Sequence, residues 1–130
     1  MIGHIPVDAD YEVGQIWAYK TRPGEEASRL YICRIDRHEK IGRIFHIFVD
    51  GLKIKNDRVE SGCQQDLPHA PVDASTLDAS VTALLDTVDD VPDVSEGYET
   101  WKEAFDTGEG GVFNIPVARI IEYIDSVIDQ

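Results

Sequence analysis

Four polar side chains have types and positions that could support acid–base chemistry: Arg22, Glu25, His46 and His69. Arg22 and Glu25 flank Pro23-Gly24, a dipeptide that favours a tight turn and holds a cation close to a carboxylate. His46 lies within a strand-like run, and His69 lies between two prolines. Because histidine titrates near neutral pH, a pocket that gathers these residues could bind a small ligand or transfer protons.

A purely structural role for the same residues is also open. Arg22 and Glu25 can simply pair on a solvated turn, where an ion pair contributes little to stability. His46 has the pattern of a half-buried histidine whose hydrogen bonds are satisfied. The two histidines can meet near Arg22 and Glu25 only if the loop predicted at 56–71 folds over the strands.

The sequence contains none of the common catalytic motifs. HExxH, GxSxG, the phosphate loop and the Rossmann fingerprint are absent, and GEGG at 108–111 is not followed by Lys-Ser/Thr. No Cys-x-x-Cys pair occurs, which excludes a zinc ribbon or a dithiol redox motif. We therefore predict a protein that is not an enzyme and that carries no cofactor and no metal ion.

Acidic residues are concentrated in the second half of the chain. The formal net charge is −13; residues 1–60 contain ten acids and ten bases, whereas residues 61–130 contain fifteen acids with only Lys102 and Arg119. Seven of these acids lie within eighteen residues: Asp86, Asp89, Asp90, Asp93, Glu96, Glu99 and Glu103. Phosphate contacts require lysine and arginine, so nucleic acid is not expected as a partner, whereas a basic protein is possible. A solvated acidic face without a partner is the alternative.

The charge distribution, the small size and the lack of a catalytic motif favour a protein-binding module. We predict an immunity or inhibitor protein that blocks a basic bacterial toxin or effector, with the seven acids as its contact set. Such a surface would attract a basic partner at a high association rate and imitate its anionic substrate. The alternative is a small-ligand-binding or catalytic domain that uses Arg22, Glu25, His46 and His69.

The length of 130 residues and the apolar fraction of 42% predict one domain, 1–130, with a single core. No apolar run approaches the roughly 20 residues of a membrane span, and no signal peptide is recognisable. We expect a cytoplasmic protein without membrane association. In a reducing compartment Cys33 and Cys63 are expected to remain unbridged, with Cys33 buried in a strand.

Runs of β-branched and aromatic residues at 14–55 predict an antiparallel β-meander. Its strands are expected at 15–20, 28–36, 43–49 and 52–55. Pro23-Gly24 favours a type II turn, and Asp50-Gly51 favours a type I′ hairpin between the last two strands. Both faces of the third run are apolar, so that strand is expected to be interior.

Periodicity disappears at 56–71, where a long loop is predicted, and a helical period follows in an acidic part at 72–130. The first helix is expected to begin at a cap, Asp73 or Ser75, and to bury a stripe at Leu77, Val81, Leu84, Leu85 and Val88. The second spans 97–106, with Ser95 as cap and an aromatic ridge at Tyr98, Trp101 and Phe105. The third begins near Pro116 and buries Val117, Ile120, Ile121, Ile124, Val127 and Ile128.

The expected architecture is α+β. A strongly bent antiparallel meander or half-barrel of four to five strands is covered on one side by about three helices. The predicted core includes Tyr31, Phe45, Ile47, Val49, Ile120 and Ile124.

Three stretches carry a resemblance to known proteins: YKTRPGEE at 19–26, HIFVDGLKIKN at 46–56 and WKEAFDTGEGG at 101–111. In these stretches the chain resembles a group of small bacterial proteins without a characterised function, and the resemblance extends over most of the chain from Tyr11 onward. None of the stretches matches an enzyme signature, so the resemblance implies no activity, cofactor or partner.

Overall fold

A five-stranded antiparallel sheet is the largest element of the computed structural model, which describes residues 11–55 and 63–128. In chain order the elements are β1 (Gln15–Tyr19), β2 (Leu30–His38), β3 (Gly42–Val49), β4 (Ile54–Lys55), β5 (Cys63–Gln64), β6 (Leu67–Asp73), α1 (Ala74–Ser80), β7 (Val81–Thr87), α2 (Ser95–Asp106) and α3 (Val117–Ile128). The sheet order is β6-β3-β2-β1-β7, and β4 pairs with β5 separately. The sheet is open, with strands mostly ahead of helices, which confirms the predicted α+β class.

One face of the sheet carries the hydrophobic core. Alternate residues of β3, namely Phe45, Ile47 and Val49, are fully buried there among residues of α1 and α3. Strand β3 pairs with β2 on one side and β6 on the other, which confirms its interior position. Of the six predicted core residues, Phe45, Ile47, Val49 and Ile120 are buried, whereas Tyr31 and Ile124 are only half-buried.

Helix α2 packs on the opposite face, so the expectation that all helices cover one side is wrong. Successive side chains of a strand point to opposite faces, and His46 therefore points away from the core that Phe45 and Ile47 enter. The His46 ring contacts Tyr98 and Trp101 of α2. Helix α2 contains no fully buried residue, and its aromatic ridge is half-buried against the sheet. A second, more polar layer results.

The predicted loop at 56–71 is wrong in its C-terminal part, because Leu67–Asp73 forms the edge strand β6. Its two prolines argue against a strand in the sequence, because proline lacks a backbone donor. Proline is nevertheless tolerated in an edge strand such as β6. Beyond the edge, Pro71 O accepts a hydrogen bond from Phe113 N at 2.9 Å. Residues 56–62 lie outside the described part of the chain.

The helix predicted to continue to Val88 ends at Ser80. Asp73 caps α1 as expected, because its side chain accepts a hydrogen bond from Thr76 N. The next seven residues form β7, which pairs with β1 at the other edge of the sheet. An apolar run of this length suits a helix or a strand, and long-range pairing decides between them. As a result Leu84 and Leu85, predicted to be buried, are 49% and 51% exposed.

The Asp50-Gly51 turn is not the predicted type I′ hairpin. Such a turn needs positive φ at both residues, but only Gly51 has it, at 64°. The Asp50 carboxylate instead accepts hydrogen bonds from Arg29 N at 2.7 Å and Tyr31 Oη at 2.9 Å. The chain then leaves the main sheet, and β4 pairs with β5 rather than with β3.

Two further expectations concern the first turn and the cysteines. Gly24 has a φ of 89°, and Glu25 N donates to Arg22 O at 3.1 Å, which confirms the Pro23-Gly24 turn. Cys33 is a buried free thiol, as predicted, and burial raises its pKa to about 12. The side chain of Cys63 lies outside the described part of the chain.

Within residues 11–55 and 63–128, no helix is both long enough and apolar enough to cross a membrane.

Alanine substitutions on either side of Ser80 test the boundary between helix and strand. Leu77 in α1 is fully buried, whereas Leu85 in β7 is half-exposed. We expect Leu77→Ala to lower the free energy of unfolding by about 2–5 kcal/mol. Leu85→Ala should lower it by less than about 0.5 kcal/mol. Chemical denaturation measures both, and equal large losses would favour a continuous helix instead.

Candidate functional site

A chain of three polar side chains crosses the sheet beneath α2. Asp36 in β2 places its Oδ2 3.1 Å from Nε2 of His46 in β3. His46 Nδ1 lies 2.9 Å from Nε2 of His69 in β6. On the far side, Arg34 Nε donates to Asp36 Oδ1 at 3.1 Å. We call Asp36, His46 and His69 the relay.

An irregularity in β2 brings Asp36 to the histidine face. The register between β2 and β3 shifts between Ile32 and Arg34, so Cys33 is the extra residue of a bulge. After the shift Arg34 lies directly opposite His46 and therefore points to the same face of the sheet. Asp36, two residues further, shares that face because side chains alternate along a strand.

The carboxylate determines the tautomers of both imidazoles. Ionised Asp36 can only accept, so His46 Nε2 donates to it and His46 Nδ1 must accept from His69 Nε2. His69 Nδ1 is then a hydrogen-bond acceptor, for which the described residues provide no partner. Since no fully buried side-chain nitrogen or oxygen in the described ranges lacks a partner, His69 Nδ1 is not fully buried.

Burial keeps both imidazoles neutral. Desolvation lowers the pKa of His46, and Asp36 only partly opposes this. Desolvation, together with the neighbouring His46, lowers the pKa of His69 to about 4. Burial raises the pKa of Asp36, but the hydrogen bond from Arg34 and the nearby charges outweigh it, and the net shift is downward. At neutral pH the relay is one carboxylate and two neutral rings.

Aromatic residues of α2 cover the histidines. The ring centroids of Tyr98 and Trp101 each lie 4.9 Å from that of His46. The Arg34 guanidinium carbon lies 3.9 Å from the Tyr98 centroid, a cation–π arrangement. This cover leaves His46 with 0% exposure, so only His69 of the two histidines can contact a ligand.

Gly97 allows α2 to approach β6. A Cβ atom at position 97 would lie 2.6 Å from the Cβ of His69 and 3.2 Å from its Nδ1. Neither Cβ can move independently of its backbone, so the helix would have to shift. Glycine at this helical position is thus explained by a close contact between elements.

His69 lines a cavity of about 570 Å³ at the first turn of α2, which we call the His69 cavity. Its walls are Leu67, Pro68, His69, Asp93, Val94, Glu96, Gly97, Thr100 and Trp101. It combines apolar walls with two carboxylates, a hydroxyl and an imidazole.

Arg22 and Glu25 belong to a different group of contacts. Arg22 donates to Glu25 from Nε at 2.8 Å and from a terminal nitrogen at 2.7 Å, and to Asp125 of α3 at 3.0 Å. Glu25, which is 2% exposed, also accepts from Lys53 N at 2.7 Å. The structure therefore divides the four predicted pocket residues into two pairs, Arg22 with Glu25 and His46 with His69.

All seven acids of the predicted contact set are exposed. Asp86 lies on β7, the next three lie in the connection to α2, and the glutamates lie on α2 itself. The carboxylates of Asp86 and Asp93 accept hydrogen bonds from nearby backbone amides. The nearby cation, Lys102, pairs instead with Asp106. None of the seven forms an ion pair within the part of the chain that the structure describes.

Sequence reasoning missed Asp36 and the role of the aromatic ridge. Arg34 and Asp36 alternate along β2, a pattern that indicates a polar strip on one face. Only the bulge at Cys33 decides that this strip faces His46. The helical period predicts a ridge at Tyr98 and Trp101, but only the packing of α2 shows that this ridge covers the relay.

The fold and the site define an α+β protein with a carboxylate–imidazole relay beneath a surface helix. No family model, no curated protein and no solved structure matches the chain. Within the described ranges, no group of three or more His, Cys, Asp and Glu side chains is arranged to hold a metal ion.

Proposed function

We propose that the protein is a protein-binding module that contacts a basic partner through its acidic surface. This surface consists of Asp86, Asp89, Asp90, Asp93, Glu96, Glu99 and Glu103. The exposure of all seven carboxylates, on a segment whose helix buries no residue completely, carries the proposal. Crowded like charges repel one another in the free protein, and a cationic partner would relieve that repulsion.

The spacing of the acids suits an extended contact. Glu96, Glu99 and Glu103 follow at three and four residues, so they lie on one side of α2 over about 10 Å of helix axis. A line of carboxylates can steer a basic protein during encounter and imitate an anionic substrate. An immunity or inhibitor protein that neutralises a basic toxin or effector in the cytoplasm is the particular class we propose.

A small-ligand-binding or catalytic domain is the second candidate. The 2.9 Å contact between His46 and His69 favours it, because a relay of this kind can hold or move a proton. The burial of His46 and the engagement of Arg22 and Glu25 in their own ion pair weigh against catalysis. Of the four pocket residues, His69 is the one that lines the His69 cavity.

A triple substitution of Asp89, Asp90 and Asp93 by asparagine tests the proposed function. These side chains are exposed, so the free energy of unfolding should be unchanged or slightly raised. Association with a basic protein purified on the immobilised chain should become slower and less dependent on salt, because rim charges act mainly on the association rate. Stopped-flow kinetics at several ionic strengths measures both effects.

A matched control removes the same charge elsewhere. Glu39, Glu109 and Glu122 are exposed and lie outside the acidic surface, so their replacement by glutamine should change the association rate much less. Equal association rates for the parent and the asparagine variant at low salt would contradict the proposed function.

A further inference from the structure

We infer that the His69 cavity binds one organic cation of the ammonium or guanidinium type. The inference rests on the proposed function for one source of that cation, a lysine or arginine side chain of the basic partner. A free small amine is the other source of the same chemistry.

The hydrogen-bonding state of His69 selects a donor. The relay leaves Nδ1 as an acceptor that is not fully buried, that lies beside Gly97 in the cavity wall, and for which the described chain provides no donor. An N–H group of an ammonium or a guanidinium supplies the missing donor. The ring cannot turn to present its other nitrogen without breaking the hydrogen bond to His46.

The charges around the cavity select a positive donor. The Asp93 carboxylate accepts hydrogen bonds from Ser95, including one from Ser95 N at 2.9 Å, and neither Asp93 nor Glu96 forms an ion pair within the described residues. The N-terminus of α2 contributes a positive end equivalent to about half a charge. The two carboxylates outweigh it, so the cavity favours cations over anions.

The walls suit an organic cation. Trp101 adds indole surface to the wall of the cavity, while its ring stacks on Phe105 with 4.6 Å between the centroids. Pro68 and Leu67 provide apolar surface for the carbon chain that carries the charged group. Oxygen-ligated divalent metals need more carboxylate and carbonyl ligands than the described residues bring together here.

Nuclear magnetic resonance titrations with methylguanidinium chloride and butylammonium chloride test the inference, with sodium chloride at equal ionic strength as reference. We expect saturable shifts of the Trp101 indole and the Gly97 amide, with a dissociation constant on the order of 1 mM, as for a single weak site. Glu96→Gln should weaken binding at least threefold. Glu122→Gln, exposed on α3 and outside both the cavity and the acidic surface, should leave it unchanged.

Competition separates the two sources of the cation. If methylguanidinium slows association of the purified basic partner in the parent but not in Glu96→Gln, the cavity takes a side chain of that partner. Saturable binding without competition assigns the cavity to a free amine. Partner binding without any saturable cation shift would overturn the inference and leave the proposed function intact, whereas the absence of both would overturn the two together.

Discussion

Replacement of Arg22 by methionine is expected to lower the free energy of unfolding by about 3 kcal/mol, as removal of one partner from a buried ion pair does. Glu25 would keep its burial, with 2% exposure, but would lose both hydrogen bonds from the guanidinium. Burial raises the pKa of Glu25, and Arg22 together with Lys53 N reverses this shift. Methionine retains much of the apolar stem of arginine, so the lost unfolding free energy measures the effect of removing the charge rather than a change in packing.

Arg29→Met is the matched control, measured by the same urea denaturation. Arg29 pairs with Asp50 at 3.0 Å, but its side chain is 50% exposed. A solvated pair contributes at most about 1 kcal/mol, so the loss should be small. If both variants lose the same small amount of unfolding free energy, the Arg22–Glu25 pair stabilises the fold no more than an exposed ion pair does.

Stability is expected to fall as the pH decreases from about 6.5 to about 4, because His69 stays neutral in the folded protein. Burial and His46 lower its pKa from 6.5 to about 4. Within this window the unfolded chain binds a proton that the native state does not, so the free energy of unfolding rises with pH. The loss is absent well above pH 6.5, is complete below about pH 4, and amounts to roughly 3 kcal/mol at most.

His69→Gln isolates this effect from the carboxylates that titrate in the same window. Glutamine can still hydrogen-bond to His46 but cannot take up a proton, so the difference between the parent and variant stabilities should change with pH. Thermal denaturation at intervals of half a pH unit measures it. Identical slopes for both proteins between pH 6.5 and 5 would show that His69 is protonated in the native state as readily as in the unfolded chain.

Local sequence is sufficient to predict an element when its hydrophobic periodicity and the residues at its ends indicate the same structure. Strands β1, β2 and β3 were predicted from alternating β-branched and aromatic residues, and α2 and α3 from their helical period. The Pro23-Gly24 turn was likewise predicted, because glycine supplies the positive φ that the turn requires. The lopsided charge is also a property of the sequence alone.

Contacts between distant parts of the chain determine that both edges of the sheet are strands and that the residues of the candidate site come together. The run at 81–87 fits a helix or a strand locally, and its hydrogen bonds to β1 settle the choice. The prolines of β6 disguised a strand whose register places Pro71 opposite His46 and so brings His69 beside it. The sequence alone showed that His46 and His69 are two of the four histidines of the chain. Their contact with each other and with Asp36 depends on pairing between residues far apart in the chain, which no local pattern encodes.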